Sequence, residues 1–300
     1  MTELLELVPN VSEGRSMAAV GGLADAFAGG GGVLVLDRHS DDSHNRSVLT
    51  AVAEPDAVLE ASRRLVEHAI ERIDLRYHRG VHPRIGALDV LPLVPLGGFS
   101  RDRAKALAMA VGRDIADSFG VPVFLYAESA LRPENQELPR LRRGGFEALE
   151  ARMACSELVP DYGPNRPHPT AGAVAVGVRS LLIAYNVELR TPDRAVARAI
   201  ARRIRASSGG LPHVKALGFE LSNPPRAQVS MNLTDFRVTS IEAAFDAVEK
   251  EAARLGVEVT RSEIVGLIPE AAAFEGMVER LFLAAPPGIL EERMRKAGLY

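Results

Sequence analysis

The sequence predicts an α/β (α+β) protein of two subdomains, each a mixed β-sheet with helices packed on it. Amphipathic helical segments alternate with short apolar strand segments along the chain. Residues 160–172 contain four prolines and two glycines, which exclude a helix or a central strand and indicate a rigid connector. The second half then follows the βαββαβ order of the ferredoxin-like unit. We therefore predict a first subdomain at 1–176 and a second at 177–300.

The first half carries the clearest helix signals. Pro55 suits the first turn of a helix, and apolar residues recur behind it at helical spacing. Ser100 and Gly120 have the chemistry of an N-cap and a C-terminal stop. We predict helices at 16–27, 55–73 and 100–119, strands at 4–8, 33–37, 47–53, 87–94 and 121–126, and a polar loop at 41–46.

The second half repeats this alternation. Asn223-Pro224-Pro225 predicts the turn of a hairpin between two of its strands, because proline and asparagine favour turns. We predict strands at 173–176, 181–189, 214–221, 227–233 and 257–265, and helices at 192–206, 241–255, 269–283 and 288–297.

Composition excludes several classes of protein. The net charge is −3, so the chain as a whole offers no electrostatic attraction to nucleic acid or to an anionic membrane. Cys155 is the single cysteine, which excludes an intrachain disulfide and a cysteine-rich metal site. The N-terminus lacks the pattern of a signal peptide, and no stretch has the ~20 apolar residues of a membrane span. We expect a cytoplasmic protein.

Candidate chemistry centres on His82, one of seven histidines. Pro83 pushes His82 out of helical geometry, at the point where a strand is about to begin. A neutral-range pKa suits a histidine to proton transfer, but an isolated histidine such as His82 is more often a structural, hydrogen-bonded residue than a catalytic one. Asp37 and Asp89 are candidates to orient an imidazole, or else cap loops. His78 and His82 lack an obvious third ligand, so no metal site is predicted.

Two arginines are candidate anion clamps. Arg46 is the last residue of the polar loop. Arg84 stands between Pro83 and an apolar run, so it is a poor fit for a simple surface charge. A guanidinium fork matches the geometry of a carboxylate and can bind both of its oxygens. We predict that Arg46 and Arg84 bind substrate carboxylates.

Several stretches together resemble the glutamate formimidoyltransferase family, in order along nearly the whole chain. They are Val8-Pro9-Asn10-Val11-Ser12-Glu13-Gly14-Arg15, His44-Asn45-Arg46-Ser47-Val48, His82-Pro83-Arg84-Ile85-Gly86-Ala87-Leu88-Asp89-Val90, Pro160-Asp161-Tyr162-Gly163-Pro164 and Gln228-Val229-Ser230-Met231-Asn232-Leu233. The resemblance implies two α/β subdomains that leave a tunnel for tetrahydrofolate. It also implies transfer of the formimino group of N-formimino-L-glutamate to N5 of tetrahydrofolate, in histidine degradation.

The resemblance also implies roles for particular residues. The catalytic histidine of the family falls on His82. Asp37 and Asp89 remain our own candidates to orient it. The family's folate-contacting loop falls on Gly163, Pro164, Asn165, Arg166, Pro167, His168, Pro169, Thr170, Ala171 and Gly172. Arg166 is a further candidate carboxylate clamp. Tetrahydrofolate is a co-substrate, no metal is needed, and a homodimer is expected.

This sequence departs from the family pattern at a few places. Ala171 stands where members often have an aromatic residue, and Val11 where they commonly have phenylalanine. The animal enzymes carry a cyclodeaminase domain, for which a chain ending at Tyr300 has no room, so a monofunctional enzyme of bacterial type is expected. Two alternatives stay open at this point: formyl transfer between 5-formyltetrahydrofolate and glutamate, and a folate-binding protein without turnover.

Overall fold

A computed structural model describes residues 3–222 and 224–299. The chain divides into two compact units, residues 1–179 and 180–300. The division lies just beyond the boundary predicted after Val176, because the last strand of the first unit continues to Val178. Each unit has its own cluster of buried apolar side chains.

The first unit is built on a seven-stranded sheet. Its strands are β1 (Leu5–Leu7), β2 (Asn10–Val11), β3 (Val33–Asp41), β4 (Arg46–Ala53), β5 (Leu88–Pro95), β6 (Val123–Ala127) and β7 (Val174–Val178). Its helices are α1 (Met17–Ala28), α2 (Val58–Arg72), α3 (Arg101–Phe119), α4 (Leu138–Leu141) and α5 (Gly145–Ala154).

The sheet of the first unit is mixed, as predicted. β4 pairs with β3 on one side and with β1 and β2 on the other, and β1 and β2 also pair with β5, all antiparallel. This part has the strand order of a ferredoxin-like unit. β5, β7 and β6 extend it as parallel neighbours. β6 can run parallel to β5 because helix α3 connects these two strands and carries the chain back to the starting end of the sheet.

The second unit has the predicted βαββαβ order. Its strands are β8 (Ile183–Leu189), β9 (Val214–Ser222), β10 (Pro225–Leu233), β11 (Val259–Val265), β12 (Leu267–Ile268) and β13 (Gly288–Ile289), and its helices are α6 (Arg194–Ile204), α7 (Ile241–Arg254), α8 (Met277–Arg280) and α9 (Leu290–Lys296). The main sheet has the order β11-β8-β10-β9 and is antiparallel rather than mixed. The reason is that each helical crossover skips a strand, so that parallel strands are not neighbours.

Helix caps confirm the helix starts read from the sequence. The Ser100 hydroxyl accepts a hydrogen bond from the Arg103 N–H at the start of α3, and Gly120 ends that helix with a φ of 63°. Pro55 opens a 3-10 turn that leads into α2. Ser16 caps α1 in the same way as Ser100 caps α3. These signals are local, and so the sequence alone locates them.

Two predicted segments differ from the structure. β3 continues to Asp41, in register with Arg46 of β4, so the predicted loop at 41–46 is a tight turn. β3 is an edge strand, so its end carries polar residues. These polar residues hide the strand pattern in the sequence. The predicted helix at 269–283 is a 3-10 turn at Glu270–Ala272 and the short α8, because Gly276 adopts a φ of 74° between them. The β9–β10 hairpin is present, while Asn223 of its turn lies outside the described residues.

Within the described ranges, every helix is too short or too polar to cross a lipid bilayer.

Candidate functional site

His82 lies in the segment between α2 and β5. Its Nδ1 is 2.8 Å from the carbonyl oxygen of Pro83. A carbonyl only accepts, so Nδ1 carries the proton and the lone pair of the neutral ring is on Nε2. Burial, and then the charges of Arg46 and Arg142 and the ring of His44, hold the pKa of His82 well below its usual value. The side chain is therefore a neutral imidazole at pH 7, in the protonation state of a general base.

His44 stands next to His82. The two rings meet edge to face, with their centroids 5.9 Å apart. His44 Nδ1 is 2.9 Å from Asp41 Oδ1, which also accepts the backbone N–H of His44. Burial alone would raise the pKa of Asp41, but its hydrogen bonds to His44 lower it. The carboxylate that orients a histidine here is thus Asp41, which sequence reasoning did not select.

The turn that carries His44 is fixed by Asn45. Asn45 has a φ of 46°, which asparagine tolerates better than most residues. Its side chain accepts the N–H of Gly14 and donates to the carbonyl oxygen of Arg79, each at 3.0 Å. The spacing Asp41-x-x-His44, followed by asparagine, is the sequence signal that could have identified this turn.

Asp89 is fully buried and lies between two arginines. Its Oδ1 accepts the N–H of Ile85 at 2.8 Å, and its Oδ2 accepts hydrogen bonds from Arg46, at 2.8 Å, and from Arg142. Both oxygens therefore have donors, and the arginines keep the pKa of Asp89 low in spite of its burial. Asp89 therefore holds the guanidinium groups of Arg46 and Arg142 in place. Of these two arginines, Arg142 was not predicted from the sequence.

Arg46 is committed to protein partners. Besides Asp89, it donates through Nε and Nη2 to the side-chain oxygen of Asn10, at 3.1 and 2.7 Å. Burial and the charge of Arg142 lower the pKa of Arg46 to about 10. Its predicted role as a carboxylate clamp stays a prediction.

Arg84 has a different partner from the predicted one. Both of its terminal nitrogens lie 2.7 Å from the carboxylate of Glu147 on α5, and its Nε donates to His78 Nδ1. His78 Nε2 donates to the carbonyl oxygen of Asn45, so both ring nitrogens of His78 are occupied by protein. The predicted role of Arg84 as a carboxylate clamp also stays a prediction.

Asp37 lies on β3 in register with Thr50 and is half-buried. It belongs to the strand that leads into the turn of His44. Its predicted support of His82 stays a prediction.

The predicted folate loop, 163–172, is exposed at several positions and ordered at its end. Asn165, Arg166 and Pro169 are exposed. His168 and Gly172 exchange two backbone hydrogen bonds, and His168 Nδ1 accepts the N–H of Ala171. Burial lowers the pKa of His168, which favours this accepting, neutral form. Ala171 is buried in the core of the first unit, so its side chain faces the protein interior.

The end of this loop is joined to the segment that follows His82. Gly86 and Gly172 form an antiparallel bridge, and the Ala87 N–H donates to the carbonyl oxygen of Ala171. A Cβ on Gly86 would lie 2.0 Å from the carbonyl oxygen of Ala173, so only glycine allows this approach. The structure therefore brings the end of the predicted folate loop next to the segment that follows His82.

The fold and this arrangement define an α/β protein with a half-buried, neutral histidine beside two arginines. The chain matches the model of the formiminotransferase domain, N-terminal subdomain, over residues 4–179 and that of the formiminotransferase domain over residues 184–282. The chain belongs to the formiminotransferase family, as the resemblance in its sequence predicted.

Named relatives match along nearly the whole chain. It is 42% identical to glutamate formimidoyltransferase of Streptococcus pyogenes serotype M1, with 92% of each chain covered. It is also 42% identical to glutamate formimidoyltransferase of Thermoplasma acidophilum, with 98% of each covered. Formimidoyltransferase-cyclodeaminase of Rattus norvegicus is 38% identical, and the match covers 98% of this chain but 55% of that protein.

Proposed function

We propose that this chain is a transferase that moves the formimino group of N-formimino-L-glutamate to N5 of tetrahydrofolate, yielding 5-formiminotetrahydrofolate and L-glutamate. The observation that carries the proposal is His82, a neutral base, in a chain 42% identical to two glutamate formimidoyltransferases. Such a reaction belongs to histidine degradation.

The chemistry needs one group that first takes a proton and then returns it. N5 of tetrahydrofolate attacks the formimino carbon, a C–N bond forms, and the attacking nitrogen becomes cationic. His82 Nε2 takes the proton of that nitrogen. The resulting imidazolium gives a proton to the glutamate nitrogen, whose bond to the carbon breaks as glutamate leaves. A pKa below the usual value keeps the base available and makes the imidazolium a stronger acid for the second step.

The segment 163–172 is proposed to hold the folate. Its exposed residues offer backbone and side-chain groups to a ligand, while its end is anchored to residues 86 and 87. Arg166 is exposed and suits a carboxylate of the folate glutamate tail. Holding both substrates near His82 contributes to the rate through proximity. The homodimer and the cytoplasmic location stay predictions.

The test is the variant His82→Gln. General acid–base catalysis contributes about 10²–10⁴-fold, so we expect kcat to fall by roughly that factor while the protein remains folded. His68→Gln is the matched control, because His68 is a half-buried histidine on α2. A His82→Gln protein with full transfer activity would exclude His82 as the proton carrier.

Formyl transfer from 5-formyltetrahydrofolate is the second candidate, since the same base would serve it. Purified protein with tetrahydrofolate should be offered formiminoglutamate and then formylglutamate, and the product followed by its absorbance. We expect turnover with formiminoglutamate. Turnover with formylglutamate alone would favour formyl transfer, and folate binding without either reaction would favour a binding protein.

A further inference from the structure

The surroundings of Asp89 contain more positive than negative charge. Arg46 and Arg142 both donate to Oδ2 of this single buried carboxylate. The other partner of Arg46 is the uncharged side chain of Asn10. Two guanidinium groups thus share one carboxylate, and their charges lower the pKa of the neighbouring His82. Taken together, Arg46, Arg142 and Asp89 carry a formal charge of 2 − 1 = +1.

Arg142 also has a hydrogen-bond donor without an acceptor. Its Nε is buried and has no partner within the described part of the chain. The side chain as a whole is 12% exposed, so it is not sealed from solvent. A buried N–H of a guanidinium without an acceptor is unfavourable, and an anionic oxygen is the partner that best satisfies it. The geometry of Arg142 therefore matches an anionic ligand.

Tyr126 and its partner Arg179 are two further hydrogen-bond donors in these surroundings. The Tyr126 hydroxyl is hydrogen-bonded to Arg179, and Tyr126 is close enough to Arg142 and Asp89 to feel both charges. Burial raises the pKa of Tyr126, so its hydroxyl stays protonated. Tyr126 lies on β6, and Arg179 directly follows β7. The ends of two neighbouring strands thus present a hydroxyl and a guanidinium near Arg142.

We propose that Arg142, supported by Arg46, Arg179 and Tyr126, forms the subsite for the α-carboxylate of the formimino donor. The inference rests on the proposed function. In the donor, the α-carboxylate sits on the carbon that bears the reacting nitrogen, so an anion at Arg142 places that nitrogen towards His82. The bound carboxylate supplies the missing negative charge and favours the imidazolium that forms during transfer.

The first experiment compares Arg142→Met and Arg142→Lys with wild type. Arg143→Met is the matched control, because Arg143 is the next residue and its side chain is 65% exposed. We expect Arg142→Met to raise the KM of formiminoglutamate by about 10²-fold while the KM of tetrahydrofolate changes less than about twofold. For Arg142→Lys we expect a smaller increase in the KM of formiminoglutamate than for Arg142→Met, because lysine keeps the positive charge. Equal changes in both KM values would indicate a structural role and overturn the proposal.

The second experiment tests which carboxylate of the donor binds at Arg142. It compares the binding of the product, L-glutamate, with that of an analogue, γ-aminobutyrate. L-glutamate has both carboxylates, whereas γ-aminobutyrate lacks the α-carboxylate. Wild type should bind L-glutamate more tightly by at least about tenfold, and Arg142→Met should bind the two equally. Calorimetric binding needs no turnover, so it tests the subsite even if the proposed reaction fails. A preference for L-glutamate that survives in Arg142→Met overturns the assignment.

A third readout is the pH profile of kcat/KM. Removing the positive charge of Arg142 favours the imidazolium, so the pKa of His82 rises. The acidic limb of the profile should therefore move to higher pH in Arg142→Met and stay in place in Arg143→Met. A limb that does not move in Arg142→Met would show that Arg142 does not act on His82.

Discussion

At the scale of single residues, the site depends on charges that oppose protonation of His82. Burial, Arg46 and Arg142 all disfavour the imidazolium, while the carbonyl oxygen of Pro83 fixes the tautomer. The sequence identifies His82 as a candidate, because a histidine before proline and ahead of an apolar strand stands out. It does not identify Asp41 or Arg142, whose neighbours are set by the folded chain.

The lowered pKa of His82 predicts a pH dependence of stability. In the unfolded chain a histidine has a pKa of about 6.5, and in the folded chain His82 titrates lower. As the pH falls below about 6.5, the unfolded state takes up a proton that the folded state does not, and stability decreases. We expect His82→Gln to reduce this slope by up to about 1.4 kcal/mol per pH unit.

Urea unfolding between pH 7.5 and pH 5, at about half-unit steps, measures this slope. His68→Gln is the control. His78 and His168 also have lowered pKa values, so part of the slope remains in the variant. An identical slope in wild type and His82→Gln would contradict the lowered pKa of His82.

At the scale of elements, glycines hold the site segments together. Gly172 has a φ of 69°, and a Cβ there would lie 2.0 Å from the carbonyl oxygen of Ile85. Gly86 lies across the bridge from it. These two glycines let the connector lie against the segment between His82 and β5. The sequence shows both glycines but not their pairing, because 86 positions separate them.

Gly172→Ala should therefore destabilise the first unit strongly. Backbone strain at positive φ and a clash with backbone together are expected to cost about 3 kcal/mol or more. Gly120→Ala is the matched control, since Gly120 has a similar φ of 63° but no atom within 4 Å of an added Cβ. Denaturant unfolding compares the two. A Gly172→Ala variant no less stable than Gly120→Ala would show that the connector is not held at this point.

At the scale of the whole molecule, the two units have separate cores. The core of the second unit contains side chains of β8, β10, α6 and α7 and is drawn from residues 183–289. Its four-stranded sheet is completed within that unit. A core of this kind is what an independently folding domain requires.

We expect residues 180–300 expressed alone to fold and to unfold cooperatively in urea. Phe245 is fully buried in this core, so Phe245→Ala in the fragment should lower the free energy of unfolding by about 3–5 kcal/mol. Arg254→Ala, at the exposed end of α7, is the control. A fragment without a cooperative transition would show that the second unit needs the first in order to fold.

The sequence alone determined the α/β class, most helices and strands, the connector and the family. These follow from periodicity, caps, turn residues and ordered motifs, all of which act over a few neighbouring positions. Only the tertiary structure decided which charges meet. Arg142 is 53 positions from Asp89, and Glu147 is 63 from Arg84. An ion pair between distant residues leaves no local pattern, so the sequence showed neither the partner of Arg84 nor the position of Arg142 beside Asp89.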